Sequence, residues 1–242
     1  MFDYIELFPE VKEIQAFFSK KNVGSLSFKW GSSGVVENRR NFFKNLDLDL
    51  NNLIMPEQVH GNRIKIVSAQ DKGRGAKKND WIQGFDGLVT NESGIIIGTE
   101  AADCAIIFAV DVKNKIIGIV HVGWRGILKK GGPNLIKAML KVGAKIENIK
   151  IATAPHIQDC CFEITQDILP KFSNYDFAVK KNKKITVDLS VIIGFQLEQI
   201  GIKKQNINLN QQCTCCKKEY FSWRRDKEKC SGSMIGIITL KK

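Results

Sequence analysis

The apolar positions of this chain fall mostly in short β-branched runs, with few long helical stripes. Residues 64–67, 88–90, 95–98, 105–110, 116–120, 149–152, 185–187 and 234–240 each read as a strand. Several are apolar on successive residues, the pattern of strands buried on both faces. Helical periodicity appears near 35–45, around 133–141 and over 190–201. In the last of these Ile193, Leu197 and Ile200 fall at i, i+4 and i+7, and Gly201 suits the stop. Pro133 suits a first helical turn, where a missing N–H goes unnoticed, and Leu135 and Met139 share one face. Strands and helices intermix without a strict βαβ rhythm. The expected fold class is α/β in the α+β sense, a single domain over residues 1–242 with mixed β-sheets covered by helices. The Gly- and Lys-rich stretch 71–80 reads as an exposed loop, and 180–184 as a surface turn.

At 242 residues, 43% hydrophobic and 26% charged, the chain has enough apolar material for a full core. Its longest apolar runs are strand-sized, too short for a helix to cross a bilayer, so no membrane partner is expected. The start, Met1-Phe2-Asp3-Tyr4-Ile5-Glu6, carries acids where a secretory signal carries Lys or Arg, which points to a cytoplasmic protein. The seven cysteines are an odd number and include Cys160-Cys161, Cys213-x-Cys215-Cys216 and Cys230. Reduced thiols suit a chain of this size better than a disulfide scaffold. Cys213, Cys215, Cys216 and Cys230 read as mostly ordinary thiols, with no paired Cys-x-x-Cys signature, while Cys160 and Cys161 stand near His156 as candidate extra ligands. A net charge of +12 invites a nucleic-acid reading. The lysines, however, are spread along the whole chain without interleaved aromatics, so no nucleic-acid partner is expected. Where Lys is the default base, the remaining arginines mark places that need a planar fork.

The chemistry concentrates at the histidines. There are three, each in a Gly- or Pro-punctuated motif: Gln58-Val59-His60-Gly61, His121-Val122-Gly123-Trp124-Arg125-Gly126 and Ala154-Pro155-His156-Ile157. Ala102-Asp103-Cys104 stands directly before the strand 105–110, and His121 directly after the strand 116–120. A short turn joins these strands, so an antiparallel hairpin is expected, and it would bring Cys104 beside His121. His60 also sits at a strand mouth. Two imidazoles and a thiolate, with a position left open for water, form the usual cradle of catalytic zinc. Taken singly, a His beside Gly is as readily a hydrogen-bonding residue, and a Cys beside an apolar run is as readily core. The convergence of three favours the metal. For His156 a structural turn is the preferred reading over a ligand. Arg125, in a Gly-flanked turn, could grip a phosphate or carboxylate bidentately. Arg224 and Arg225 face the alternative of a salt bridge with Asp226.

Gln58-Val59-His60-Gly61, Asp86-Gly87, Ala102-Asp103-Cys104, His121-Val122-Gly123-Trp124-Arg125-Gly126, Cys161-Phe162-Glu163, Cys213-Thr214 and Phe221-Ser222-Trp223-Arg224-Arg225-Asp226 occur in this order. In this the chain resembles the polyphenol oxidase or laccase-domain family, now regarded as purine nucleoside phosphorylases. The resemblance implies a zinc ion on His60, Cys104 and His121. It also implies phosphorolysis of adenosine, inosine, guanosine and methylthioadenosine, with adenosine deamination beside it. The partners expected are therefore purine nucleosides and phosphate, with Arg39 as the phosphate contact and Gln58 and Asp103 assisting in positioning. Two family arginines are replaced, by Lys29 in Ser27-Phe28-Lys29-Trp30-Gly31 and by Ser233 in Gly232-Ser233-Met234.

Two competing readings remain, and a third, the oxidase, fails on its ligand count. A multicopper oxidase would spend two histidines and a cysteine on a blue-copper centre, leaving one histidine for the rest of its copper. A metal-free cysteine hydrolase or amidase would use Cys104 as nucleophile and His121 as base, in line with relatives linked to editing of cell-wall precursors. A basic interaction module with a merely structural metal would show salt-dependent binding and no turnover.

Overall fold

Strand Ala105–Asp111 alternates its side chains so regularly that both faces are buried. Ala105, Ile107 and Ala109 join one hydrophobic cluster, while Ile106, Phe108 and Val110 join another. The rest of the architecture follows from covering those two faces. A computed structural model describes residues 3–31 and 33–241. Residues 1, 2, 32 and 242, which include the first two of the N-terminal stretch read for a targeting signal, lie outside the described residues. The strands are β1 (Tyr4–Glu6), β2 (Ile14–Ser19), β3 (Leu53–Ile54), β4 (Ile64–Ile66), β5 (Gly87–Thr90), β6 (Ile96–Ala101) and β7 (Ala105–Asp111). They continue with β8 (Ile116–Val122), β9 (Lys150–Thr153), β10 (Val179–Lys181), β11 (Ile185–Val187), β12 (Ile207–Asn208) and β13 (Met234–Leu240). The α-helices are α1 (Val35–Asn45), α2 (Trp124–Leu128), α3 (Gly131–Lys141), α4 (Leu189–Gln199) and α5 (Trp223–Asp226).

Among the described residues, one mixed sheet runs β1-β2-β13-β6-β3 and a second runs β12-β9-β7-β8-β5-β4, with β10-β11 as a separate hairpin. The two large sheets pack face to face. Phe18, Ile97, Met234 and Ile238 of the first meet Ile106, Phe108, Ile117 and Ile119 of the second. The outer face of the second sheet carries α3 and α4 through Leu135, Ile136, Met139, Ile193 and Leu197. On the outer face of the first, Phe42 and Phe43 of α1 pack against Phe17, Ile235 and Ile237. Each such fully buried side chain contributes about 1.5–3 kcal/mol. At Gly118 of β8 an added Cβ would lie 2.9 Å from Leu135 Cδ1, so this glycine is what lets α3 approach so closely.

The expected fold class is what the structure has: mixed sheets covered by helices. All eight strands read from the pattern are present, as are the three helices, and α4 is capped by Asp188, whose carboxylate accepts the Val191 N–H at 3.0 Å. One expectation needs correcting. The 71–80 stretch is not exposed throughout, because Gly75 and Ala76 are buried and their carbonyls accept hydrogen bonds from Arg39. Among the described residues no helix is long and apolar enough to cross a membrane.

Candidate metal centre and active site

The β7–β8 hairpin pairs Ala105 with Val122 and Ile106 with His121, so Cys104, one residue before β7, emerges beside His121. The turn presenting Cys104 is strained: Asp103 has φ +95°, a region that favours glycine. Its side chain holds the turn in place. Thr214 Oγ1 donates to Asp103 Oδ1 at 2.7 Å, while Ser222 Oγ and the Arg224 N–H donate to Oδ2 at 3.0 and 2.6 Å. The Asp103 carbonyl also accepts the Ile157 N–H at 2.9 Å. His60 is left-handed too, at φ +56°. It stands edge-on to His121, with ring centroids 4.8 Å apart and planes at 89°. One ligating atom each from His60, Cys104 and His121 lie within 4.8 Å of one another.

Asp86 ties two of these segments together. Its Oδ1 lies 3.2 Å from His121 Nδ1, and its Oδ2 accepts the Gly61 N–H at 2.7 Å. Nδ1 is thereby engaged and Nε2 left for an ion, the usual way an outer carboxylate fixes a metal-binding imidazole. Gly123 clears the remaining space, since a Cβ there would lie 2.8 Å from Cys104 Sγ and 3.2 Å from His60 Cδ2. Burial works against a Cys104 thiolate. The charges of His121 and His60 and their hydrogen bonds outweigh it and bring the thiol down to about 6. For His121 burial is likewise outweighed, by the thiolate and by Asp86, which push the imidazole up to about 9. Burial opposes the Asp86 carboxylate as well, yet His121 and the Gly61 N–H hold its carboxyl below the usual range. One thiolate and two oriented imidazoles with space beside them make a donor set that fits a borderline-soft divalent metal.

Two hollows meet at this centre. One, of about 370 Å³, is lined by Lys29, Trp30, Glu100, Trp223 and Ser233 among others. The other, of about 310 Å³, is lined by Trp124, Arg125, Phe162, Leu189 and Arg224. His60, Ala102, Cys104 and Trp223 border both. Of the residues singled out from sequence, His60, Cys104, His121, Asp103, Gln58 and Arg125 all line this region. Gln58 faces it but spends its side chain on protein: Nε2 donates to the Glu100 carbonyl at 2.7 Å and Oε1 accepts the Glu100 N–H at 3.1 Å. The exposed Arg125 guanidinium lies over its neighbour Trp124, 4.3 Å from the ring centroid.

Arg39 is where the expectation fails. It is fully buried, and its guanidinium donates to the carbonyls of Leu26, Gly75 and Ala76 and to Glu100 Oε1. All three nitrogens serve protein acceptors, so Arg39 holds Glu100 and does not present a fork to phosphate. His156 takes the structural role. It is buried, with Nδ1 2.9 Å from the Ala154 carbonyl and Nε2 2.9 Å from Ser190 Oγ. Arg225 pairs with Asp226 at 2.8 Å, whereas Arg224 reaches the second hollow. Sequence reasoning assigned no role to three residues of this region: Asp86, Glu100 and Trp30. Asp86 had a signal in its place just before β5 and beside Gly87. The other two had none, because their roles depend on contacts across the fold.

A family model described as multi-copper polyphenol oxidoreductase laccase matches residues 15–241. The chain belongs to this family. Adenosine deaminase RL5, from an unknown prokaryotic organism, is 30% identical over 200 residues, covering 79% of this chain and 76% of its own. Purine nucleoside phosphorylase YlmD of Bacillus subtilis is 27% identical over 250 residues, covering 95% and 90%. Among solved structures, YlmD from Geobacillus stearothermophilus superposes with a TM-score of 0.91 at 25% identity, covering 97% and 94%. The Bacillus licheniformis hypothetical protein YfiH gives 0.92 at 25% identity, covering 97% and 96%. The family is thus enzymatic, with relatives named for nucleoside chemistry. The multicopper part of that description does not fit this chain's donors. With three histidines in all, and His156 bonded to protein through both nitrogens, a multicopper cluster has too few ligands.

Proposed function

We propose that this chain is a zinc-dependent purine nucleoside phosphorylase acting on adenosine, inosine, guanosine and methylthioadenosine, with adenosine deaminase activity, and that residues 1–242 form one catalytic domain. The observation that carries the reading is the convergence of His60, Cys104 and His121 where two ligand-sized hollows meet. A zinc ion held by these three residues would supply Lewis acidity and activate water near neutral pH. The residues around it supply the rest. Trp30 and Trp223, with ring centroids 5.6 Å apart, offer aromatic faces for a purine. Arg125 and Arg224 on one side and Lys29 on the other offer cations for phosphate. Asp86 keeps His121 oriented, and Asp103 keeps Cys104 presented. Both residues that replace family arginines, Lys29 and Ser233, line the same hollow, and Ser233 Oγ accepts the Trp30 Nε1 hydrogen at 2.7 Å. Substrate preference in this chain is accordingly set in that hollow.

The test is to incubate purified protein with adenosine and phosphate and to measure its metal content alongside. Adenine plus ribose 1-phosphate is expected from phosphorolysis, and inosine from deamination, with both lost in Cys104→Ala. A zinc-loaded protein that leaves adenosine untouched, or a Cys104→Ala protein with unchanged turnover, would overturn the proposal. A second reading is favoured by one feature: Cys104, His121 and Asp86 stand in the order of a nucleophile, base and orienting carboxylate. A cysteine hydrolase of that kind would be active without metal and would be inactivated by alkylation of Cys104.

A further inference from the structure

Four more thiols converge away from the histidine centre. Cys160 Sγ lies 3.8 Å from Cys161 Sγ and 3.7 Å from Cys216 Sγ, and Cys161 Sγ lies 3.4 Å from Cys216 Sγ. With Cys213 included, all four sulfurs are within 4.8 Å of one another. A tetrahedral ion with metal–sulfur bonds of about 2.3 Å sets its sulfurs about 3.8 Å apart. A disulfide would require about 2.05 Å. The three separations among Cys160, Cys161 and Cys216 lie near the edge length of a sulfur tetrahedron. One sequence reading needs correction: Cys213-Thr214-Cys215-Cys216 does contain a Cys-x-x-Cys pair, in Cys213 and Cys216.

Backbone contacts build the frame for this cluster. His156 bridges to Cys213 in parallel register, and the Thr214 N–H donates to the His156 carbonyl at 3.2 Å. The Cys161 N–H donates to the Gln158 carbonyl at 3.0 Å. Cys213 Sγ accepts the Gln158 N–H at 3.5 Å, and the N–H groups of Cys215 and Cys216 are directed at it too. Peptide N–H groups aimed at a sulfur compensate thiolate charge, as the outer partners of metal ligands do. Four thiols and no open position are the donor set of a structural zinc site, in contrast to the three donors and free space at His60, Cys104 and His121.

We propose that Cys160, Cys161, Cys213 and Cys216 form a second, closed thiolate site that binds zinc. Its place in the fold explains what the ion does. The Cys161 carbonyl accepts Arg224 Nη1 at 3.0 Å, and the next residue, Phe162, lines the second hollow. Thr214, inside the Cys-x-x-Cys turn, donates to the Asp103 carboxylate that holds the Cys104 turn. An ion across the two segments fixes a wall of the hollow to the turn that presents Cys104. The site does not depend on the nucleoside reading.

The test uses the full-length chain, purified under reducing conditions, with elemental analysis and cobalt substitution. Wild type is expected to carry about two zinc ions per chain, and Cys104→Ser about one. In the Cys104→Ser protein, cobalt should give the strong near-ultraviolet thiolate charge-transfer band of a four-sulfur tetrahedral centre. A double variant, Cys160→Ser with Cys216→Ser, should lose that band and one zinc while keeping metal at the histidine centre. Should the double variant fail to fold, titration of the Cys104→Ser protein with a mercurial replaces it, with zinc released in step with thiol modification. Cys104→Ser protein that binds no metal, or mass spectrometry showing Cys161 and Cys216 oxidised to a disulfide in the reduced preparation, would overturn the proposal. A filled cysteine cluster in a chain inert toward adenosine would sink only the nucleoside reading.

Discussion

Cys104 and His121 each carry a charge that burial alone would suppress. In the metal-free protein the thiol sits near 6 and the imidazole near 9, because each stabilises the other and Asp86 backs the imidazole. These directions fix a stability profile. The thiol is depressed from 9.0, so its contribution is complete above the unfolded value and is lost as pH falls through about 6. The imidazole is raised from 6.5, so its contribution is complete below that value and is lost as pH rises through about 9. Between about 6 and about 9 the thiol's contribution grows with pH while the imidazole's declines, so the two offset, and metal-free protein is expected to carry a Cys104 thiolate at neutrality. The check is the thiolate ultraviolet absorbance of metal-free protein minus that of metal-free Cys104→Ser, followed through pH. A difference that appears only above the ordinary thiol range would show that the pair does not form. Metal binding competes with protons for the same atoms and should weaken on the acid side.

At the scale of elements, the hairpin was readable because two buried strands and a short turn leave only one economical connection, and that connection joins Cys104 to His121. The unread strands are short or lie at sheet edges. β3 and β12 have two residues each, and β1 and β10 three, too few for an alternation to show. β2 also went unread, although Ala16, Phe17 and Phe18 form an apolar run buried from both sides. Nor did the pattern disclose how tightly the turn after β8 closes over the ligands, which is the task of Gly123. Its φ of −70° is ordinary, so alanine is permitted by the backbone and excluded only by the sulfur and imidazole it would press upon. Overpacking costs about 1–3 kcal/mol, which corresponds to roughly five- to 150-fold in metal affinity if the ligands give way. Gly123→Ala should fold with an unchanged circular dichroism spectrum and bind zinc that much more weakly in a chelator competition. Wild-type affinity in that variant would mean the three side chains do not converge on one ion.

Across the whole molecule, sequence reasoning succeeded where residues meet through one hairpin and failed where they meet through layers. Cys160-Cys161 and Cys213–Cys216 come together only once the segment after β9 lies beside the one after β12, through the His156–Cys213 bridge. Arg39 is the sharper case. Scarcity of arginine correctly marked a site needing a planar fork, but the acceptors prove to be protein carbonyls and Glu100. Those acceptors lie on three separate parts of the fold: Leu26 before α1, the Gly75–Ala76 turn, and Glu100 on β6. Arg39 thus fastens α1 to the first sheet and, through Glu100, to the floor of the hollow bearing Lys29 and Ser233. Removing one partner of a buried ion pair strands the other and costs about 3–5 kcal/mol. Arg39→Ala should accordingly lose about that much stability in urea unfolding, with folded protein losing activity for all nucleosides alike. A residue that merely gripped phosphate would behave otherwise. It would leave the unfolding midpoint where it is and raise the KM for phosphate alone, and that outcome would return Arg39 to the substrate.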